Sequence, residues 1–254
     1  MVDTKNELKI TLNPVFKAFR IDLLQSSVSI ETLEELNTIF LWLKNHLEIH
    51  VVLLSNSSQS LLKPLFTDEK NHFKYKEKLD TLITSIQNIP QIFITDSGLG
   101  LKNYLIEIFF SGDIKIAHKK SSFEFTYLQD RLIPKYSTLL KYLPFSYLKE
   151  TLFLNETLKT SSLKNFSIFS NLYEGTAEDL LNNYFKKLSS QERFAIIQTK
   201  HFFCNFNIEN TENFEKLIAN SMKFSVNEST QSPLPLYKIK ENIQFTVFQG
   251  GKKT

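Results

Sequence analysis

Residues 96–134 read DSGLGLKNYLIEIFFSGDIKIAHKKSSFEFTYLQDRLIP, and this stretch decides how the rest of the chain is interpreted. One carboxylate, Glu107, lies in the run YLIEIFF, residues 104–110, which is otherwise uncharged and mostly apolar. An ionised carboxylate in such surroundings is too costly to persist bare, so it must be paired, solvated or neutral. We therefore interpret Glu107 as lining a site, with a glutamate at a subunit contact or paired with a lysine as the alternative.

The rest of the chain alternates between strand and helix patterns. Short apolar runs, several of them rich in β-branched residues, predict strands at residues 8–12, 49–54, 91–95, 114–117 and 122–125. Apolar residues at helical spacing predict helices at 29–47, 75–88 and 104–111, and the pattern is mostly helical from residue 136 onward. Strand, helix and strand in that order favour a right-handed crossover and a parallel sheet, hence an α/β fold.

The composition is that of an ordinary globular protein and argues against several classes. The 254 residues are 42% hydrophobic and 22% charged, and the net charge of +3 with no aromatic-interleaved basic cluster gives no indication of nucleic-acid binding. Cys204 is the single cysteine, which excludes an intramolecular disulfide. Neither a signal peptide nor a run of ~20 apolar residues is recognisable, so we expect a cytoplasmic protein without a membrane partner.

The histidines offer one weak metal-site pattern. His46 and His50 are four residues apart, which would place two ligands on one face of a helix. However, His50 falls where the strand pattern begins, and the chain has no HExxH motif. We therefore predict no metal and interpret both histidines as surface or boundary residues.

Several segments stand in a particular order and spacing, although none is specific alone. They are ITLNP at residues 10–14 with KAF at 17–19, FFSGDIKIA at 109–117, IP at 133–134, LKETLFL at 148–154 and AIIQTKHFF at 195–203. In this order they resemble the crotonase (enoyl-CoA hydratase/isomerase) superfamily, whose segments LACDxRIA and ALxATKxLL look like the second and the last. The resemblance covers roughly residues 8–205.

The resemblance implies an architecture and a ligand class. The fold would be the crotonase-like (ClpP/crotonase) α/β fold of repeated ββα units, with a core over residues 1–205 and a C-terminal helical or lid segment and tail over 206–254. The ligand would be an acyl-CoA or acyl-carrier thioester, with coenzyme A entering as substrate rather than as a separate cofactor. The assembly would be a homo-oligomer, a trimer or hexamer.

The resemblance also assigns proton-transfer roles to two positions. Counted from Asp113, which is structural in the family, Glu107 falls on the first catalytic glutamate and Tyr127 on the second. A phenol with a pKa of ~10 is protonated at neutral pH and is a poor base, so Tyr127 could donate a proton but not readily accept one. A packed aromatic side chain is the alternative interpretation of Tyr127.

The two backbone N–H groups that would stabilise the thioester oxygen fall on unusual residues. The glycine-rich turn of the family reads Asn103-Tyr104-Leu105 here, which places one donor on the bulky Tyr104. Spacing places the other donor on Lys63, followed by Pro64 where glycine is usual. Lys63 is otherwise interpreted as a solvated loop lysine.

Two classes of function follow. The first is an acyl-CoA enzyme of isomerase or decarboxylase type, because a single carboxylate, Glu107, suits those reactions better than hydration. The second is a catalytically inactive homologue that keeps the scaffold for binding or assembly. The missing glycines and the missing second glutamate favour the second class.

Overall fold

The structure, a computed structural model, describes residues 7–65, 69–126, 138–205 and 245–247. In these ranges the strands are β1 (Leu8–Asn13), β2 (Ala18–Leu23), β3 (Ser27–Val28), β4 (Val51–Asn56), β5 (Lys63–Pro64), β6 (Ile92–Asp96), β7 (Gly100–Lys102), β8 (Ile114–His118), β9 (Ser122–Glu124), β10 (Thr157–Lys159), β11 (Asn171–Tyr173) and β12 (Phe245–Val247). The α-helices are α1 (Ile30–Leu43), α2 (Glu69–Gln87), α3 (Tyr104–Phe110), α4 (Phe145–Leu154), α5 (Thr160–Leu163), α6 (Glu178–Ser189) and α7 (Arg193–Asn205). Short 3-10 turns lie at Thr138–Lys141 and Lys164–Phe166.

The main sheet has seven strands in the order β11-β8-β6-β4-β2-β1-β12. The hairpin of β1 and β2 is antiparallel, and the other neighbours in this sheet pair in parallel. A second sheet has the order β10-β9-β7, and β3 pairs with β5. The α/β class and the parallel sheet predicted from the sequence are confirmed.

Strand β2 was missing from the sequence prediction. Its polar residues Arg20 and Asp22 interrupt the apolar pattern of AFRIDL, yet they pair with each other through two hydrogen bonds of 2.9 Å. The crossover to β4 through α1 therefore starts from β2, because β1 is antiparallel to β2 and is not adjacent to β4.

The main sheet separates two apolar layers. On one face, helices α1, α2 and α3 form a large core with Val52 and Leu54. On the other face, α6 packs in a smaller core with Val51 and Leu53. Because side chains alternate between the two faces of a strand, burial on both sides makes β4 a continuous apolar run until it reaches its polar end.

Helix α1 follows directly from its sequence. Ser29 is the N-cap residue, and its hydroxyl accepts a hydrogen bond of 3.2 Å from the backbone N–H of Thr32. Leu33, Leu36 and Phe40 recur at helical spacing and are fully buried. The predicted helix at 29–47 is confirmed and ends at Leu43.

The second sheet lies past the carboxyl ends of the main strands and positions the Glu107 helix. Strand β5 follows β4 along the chain, and β7 follows β6. The turn between β6 and β7 contains Gly98, which has φ +55 and packs against the Asn56 carbonyl oxygen so closely that a Cβ atom would not fit. Helix α3 starts directly after β7, as predicted from the run at 104–111.

Strand β12 pairs in parallel with β1. It belongs to the segment 206–254, to which the resemblance assigns a C-terminal helical or lid segment and tail. None of the described helices combines the length and the apolar composition needed to cross a membrane. Nor does any group of three or more His, Cys, Asp or Glu side chains in the described ranges form a metal-binding cluster.

Candidate functional site

Glu107 lies in the first turn of α3 and has no exposed surface. All seven residues of α3 are buried, so the helix is part of the large core rather than the rim of a cleft. A carboxylate in this setting is strongly desolvated. The structure thus confirms the burial that the apolar run predicted, while the catalytic role of Glu107 remains a prediction.

Asn103, the residue before α3, adopts a conformation typical of glycine, with φ 49 and ψ −125. Two side-chain hydrogen bonds hold it: the Thr126 amide donates to Asn103 Oδ1 at 2.6 Å, and Asn103 Nδ2 donates to Thr126 Oγ1 at 2.8 Å. Its own amide donates to the Glu124 carbonyl at 2.9 Å. The glycine-type turn before the helix is therefore retained without a glycine, at some cost in backbone strain.

Tyr104 directs a bulky side chain into the protein, and the whole residue is buried. Burial raises the pKa of the Tyr104 phenol well above its ordinary value, and the nearby carboxylates of Asp80 and Glu107 raise it further. The phenol is therefore protonated at neutral pH. At the position where the resemblance implies a glycine, this chain has a neutral, packed aromatic side chain.

The amides around β5 alternate between two neighbouring strands. The amides of Lys63 and Leu65 donate towards β3, to the carbonyls of Ser26 at 3.0 Å and Val28 at 2.8 Å. The amide of Leu62 donates in the opposite direction, to the Gly100 carbonyl of β7 at 3.0 Å. Successive amides of an extended strand point to opposite edges, so an amide at residue 64 would face β7.

Pro64 occupies that position and has no N–H. The parallel bridge between Leu62 and Leu101 places residue 64 alongside the turn from β7 into α3, and α3 packs against β5. Lys63, the donor predicted from spacing, uses its amide in the β3–β5 pair, and its side chain is exposed. The structure therefore brings β5 beside Tyr104, but with the Lys63 amide turned away.

Tyr127, the second predicted proton-transfer group, lies outside the described residues, as does the Ile133-Pro134 segment. The assignment of Tyr127 remains a prediction.

Asp113 has the structural bonding expected of it. Its Oδ2 atom accepts a hydrogen bond of 2.8 Å from the Phe93 amide and forms an ion pair of 2.8 Å with Lys200 Nζ. Lys200 also donates to the Gln91 carbonyl at 2.7 Å. Asp113 and Lys200 therefore tie the start of β8 to β6 and α7.

Lys115 is a buried lysine that sequence reasoning missed. Its ammonium donates to the Gly112 carbonyl at 2.5 Å and lies 4.6 Å from the ring centre of Tyr142. Burial lowers the pKa of Lys115 to about 8, with Asp113 opposing the shift and Lys141 adding to it. The sequence pattern IKIA could have revealed this buried lysine. Ile114 and Ile116 point to one face of the strand, so the lysine between them points to the opposite face.

A cluster of polar residues lies at the carboxyl ends of the parallel strands, on the face covered by α6. The sequence prediction did not include this cluster. Asp96 accepts hydrogen bonds from Tyr173 Oη at 2.9 Å, Ser55 Oγ at 3.0 Å and the Gly98 amide at 3.0 Å. Burial raises the pKa of Asp96, although these hydrogen bonds and Arg20 oppose the shift. The sequence signal for this cluster is that the apolar strands end in polar residues. Because these residues hydrogen-bond to one another, we interpret the cluster as structural.

Comparisons with known proteins found similarity of structure only. No family model matches the chain, and no curated protein matches its sequence. An enoyl-CoA hydratase of Mycobacterium smegmatis is 14% identical, with a TM-score of 0.74 over 89% of this chain and 93% of that one.

Two further solved structures show the same similarity. An enoyl-CoA hydratase of Bacillus anthracis is 15% identical, with a TM-score of 0.70 over 84% of this chain and 88% of that one. Human enoyl Coenzyme A hydratase domain-containing protein 3 is 16% identical, with a TM-score of 0.70 over 87% and 92%. These matches confirm the fold implied by the resemblance.

Proposed function

We propose, from the premise that this chain has the crotonase fold, that it is a catalytically inactive homologue serving as a binding or assembly subunit. The chemistry that the resemblance implies develops negative charge on a thioester oxygen, which two backbone N–H groups would stabilise. The observation that carries the proposal is Pro64, which stands where the amide of β5 would face the start of α3. Loss of one such donor typically lowers kcat by about 10²–10³-fold.

The neighbouring amide does not offer a substitute. The Lys63 N–H donates to the Ser26 carbonyl at 3.0 Å within the β3–β5 pair. Freeing it would break that pair and leave the Ser26 carbonyl without this bond, at a cost of about 1–3 kcal/mol if the carbonyl stayed buried. This bonding supports an inactive site.

The burial of Glu107 also supports an inactive site. A group that moves a proton must come within about 2.6–3.2 Å of the reacting group or reach it through one water. Glu107 has no exposed surface, and the Tyr104 three residues before it is equally buried. Access for a thioester would require α3 to move out of the core with which it packs.

The second candidate function is an acyl-CoA or acyl-carrier thioester enzyme, with Glu107 as the proton-transfer group. The retained conformation of Asn103 favours it, since strained backbone persists where the surrounding structure enforces it and is concentrated at functional sites. Its reaction would be of isomerase or decarboxylase type, because one carboxyl group can move a proton between two carbons, or protonate the enolate that remains when CO2 leaves, whereas hydration usually divides the acid and base roles between two groups.

Assembly with further copies of the chain is the scaffold role that we propose. Helix α4 ends in Phe153 and Leu154, which are 65% and 61% exposed, and adjacent exposed apolar side chains are typical of contact surfaces. We expect a homo-oligomer, a trimer or hexamer, in place of the 29.6 kDa monomer. Light scattering measures this mass directly, and Phe153→Asp should lower it while circular dichroism stays unchanged.

A panel of CoA, short- to medium-chain acyl-CoAs and an acyl-carrier thioester separates the two candidates. For an inactive homologue we expect no hydration, isomerisation or decarboxylation of any of these ligands. A concentration-dependent rise in Tm without turnover would show that the inactive chain binds that ligand, because a ligand that binds only the folded state stabilises it. The matched variant is Glu107→Gln, which keeps the size and removes the ionisable carboxyl group. Turnover by the wild type that disappears in a folded Glu107→Gln protein would establish the enzyme instead.

A further inference from the structure

A small cavity lies at the amino ends of the main strands, at the opposite end of the sheet from Glu107. His50 directly precedes β4 and Lys17 directly precedes β2, and these two strands are parallel neighbours. The cavity, which we call the His50 pocket, is lined by Leu47, Ile49, His50, Pro90, Arg193, Ile196 and Ile197. Its volume of about 10 Å³ accommodates roughly one water-sized group.

The bonding of His50 determines which ring nitrogen carries the proton. Lys17 Nζ lies 3.4 Å from Nε2 of His50. An ammonium has three donors and no acceptor, so Nε2 must be the unprotonated acceptor. In the neutral imidazole the proton then resides on Nδ1, which makes Nδ1 a hydrogen-bond donor.

That donor has no acceptor among the residues that the structure describes. His50 is 5% exposed, and its Nδ1 atom is buried without a hydrogen-bond partner. A buried donor left without an acceptor destabilises the folded protein, because its hydrogen bonds to water are lost and not replaced. An acceptor atom in the His50 pocket would remove this destabilisation.

Among the described residues, the charged groups that act on the pKa of His50 are the cations Lys17 and Arg193. Burial lowers the pKa of the ring, and the positive charges of Lys17 and Arg193 lower it further. Arg193 lines the pocket at the start of α7, and Lys17 contacts Nε2 of the ring. A neutral N–H donor beside two cationic side chains favours an anion over a neutral ligand.

We propose that the His50 pocket binds a small oxyanion, a phosphate or carboxylate group, with one oxygen accepting from His50 Nδ1 and the Arg193 guanidinium. The cavity has room for one oxygen, so the rest of the anion lies at the protein surface. Apolar side chains of Ile49 and Ile196 enclose that oxygen and strengthen its hydrogen bonds by excluding water.

Histidine NMR during a titration with sodium phosphate, at constant ionic strength set by sodium chloride, tests this site. We expect the His50 ring signals to shift to saturation and the His50 pKa to rise, because the anion stabilises the imidazolium. His46, which pairs with Glu48 at 2.8 Å, is the internal reference and should not respond. A parallel titration with acetate shows whether a carboxylate serves as well as a phosphate.

Two variants test whether the NMR response to phosphate comes from the His50 pocket. Arg193→Gln should weaken phosphate binding about tenfold, the worth of one charged hydrogen bond, without unfolding the chain. Lys186→Gln, which removes an exposed charge in the last turn of α6, is the matched control and should leave binding unchanged. An equal response to chloride alone, an equal loss in both variants, or a His50 signal that does not move would overturn the site and leave water as the acceptor.

Discussion

The two ends of the main sheet differ in which buried polar group lacks a hydrogen-bond partner among the described residues: these groups include the Ser97 hydroxyl at the carboxyl end and a ring nitrogen of His50 at the amino end. Past the carboxyl ends, where the resemblance places chemistry, Lys63 and Asn103 are hydrogen-bonded within the protein and Glu107 is enclosed in the core. Past the amino ends, His50 retains a buried ring nitrogen without a partner among the described residues. The difference suggests that the first region works as packing and that binding is better sought at the second.

The largest expected effect tests whether α3 is a core element. Phe110 is buried against the rings of Phe123, Tyr142 and Phe169. We expect Phe110→Ala to lower the free energy of unfolding by about 3–5 kcal/mol, through lost burial and the cavity left behind. Chemical denaturation measures this loss.

The control for that substitution is Phe73→Ala on α2, where the residue is 79% exposed. Its effect should stay within about 0.5 kcal/mol. Similar losses for both variants would show that α3 is not part of a tightly packed core, and the contrast between the two ends of the sheet would fail.

An intermediate effect is expected at the turn before α3. Asn103→Ala removes the two side-chain bonds to Thr126 and leaves a φ of 49 on a residue with a Cβ, so we expect a loss of about 2–3 kcal/mol. Asn103→Gly removes the same bonds but relieves the backbone strain, and should be about 1 kcal/mol less destabilising. Equal losses in the two denaturation curves would mean that the turn carries no strain.

The smallest effect concerns the buried cation Lys115, just beyond the end of α3. Its folded pKa of about 8 lies below the unfolded value of 10.5, so between these pH values the unfolded chain binds more protons and wild-type stability rises with pH. Below pH 8 the charged amine is desolvated at full cost. We expect Lys115→Met to be more stable than wild type by about 1 kcal/mol at pH 7, after the lost Gly112 bond is discounted.

The pH profile is the readout for Lys115. The advantage of Lys115→Met over wild type should shrink as pH rises from 8 towards 10.5, because the wild-type lysine loses its charge in the folded state first. Denaturation curves at pH 7, 8.5 and about 10 follow this difference. An advantage that grows with pH, or a pH-independent one, would contradict the lowered pKa.

Local patterns predicted the elements that depend on one segment. The apolar run around Glu107 predicted a buried helix, and the helical spacing of Leu33, Leu36 and Phe40 predicted α1. Strand β2 was not predicted because its polar residues have partners in distant segments: Asp22 accepts a hydrogen bond from Ser57, and Arg20 pairs with Glu178. Pairing over such distances in the chain leaves no periodic signal in the segment itself.

The sequence by itself determined that this chain has an α/β core, that Glu107 is buried, and that residue 64 has no N–H, because hydropathy and covalent structure are properties of the residues. Only the tertiary structure decided that residue 64 faces β7, that the Lys63 amide is used by Ser26, and that His50 meets Lys17. These are contacts between separate segments, and they depend on strand pairing rather than on any local pattern.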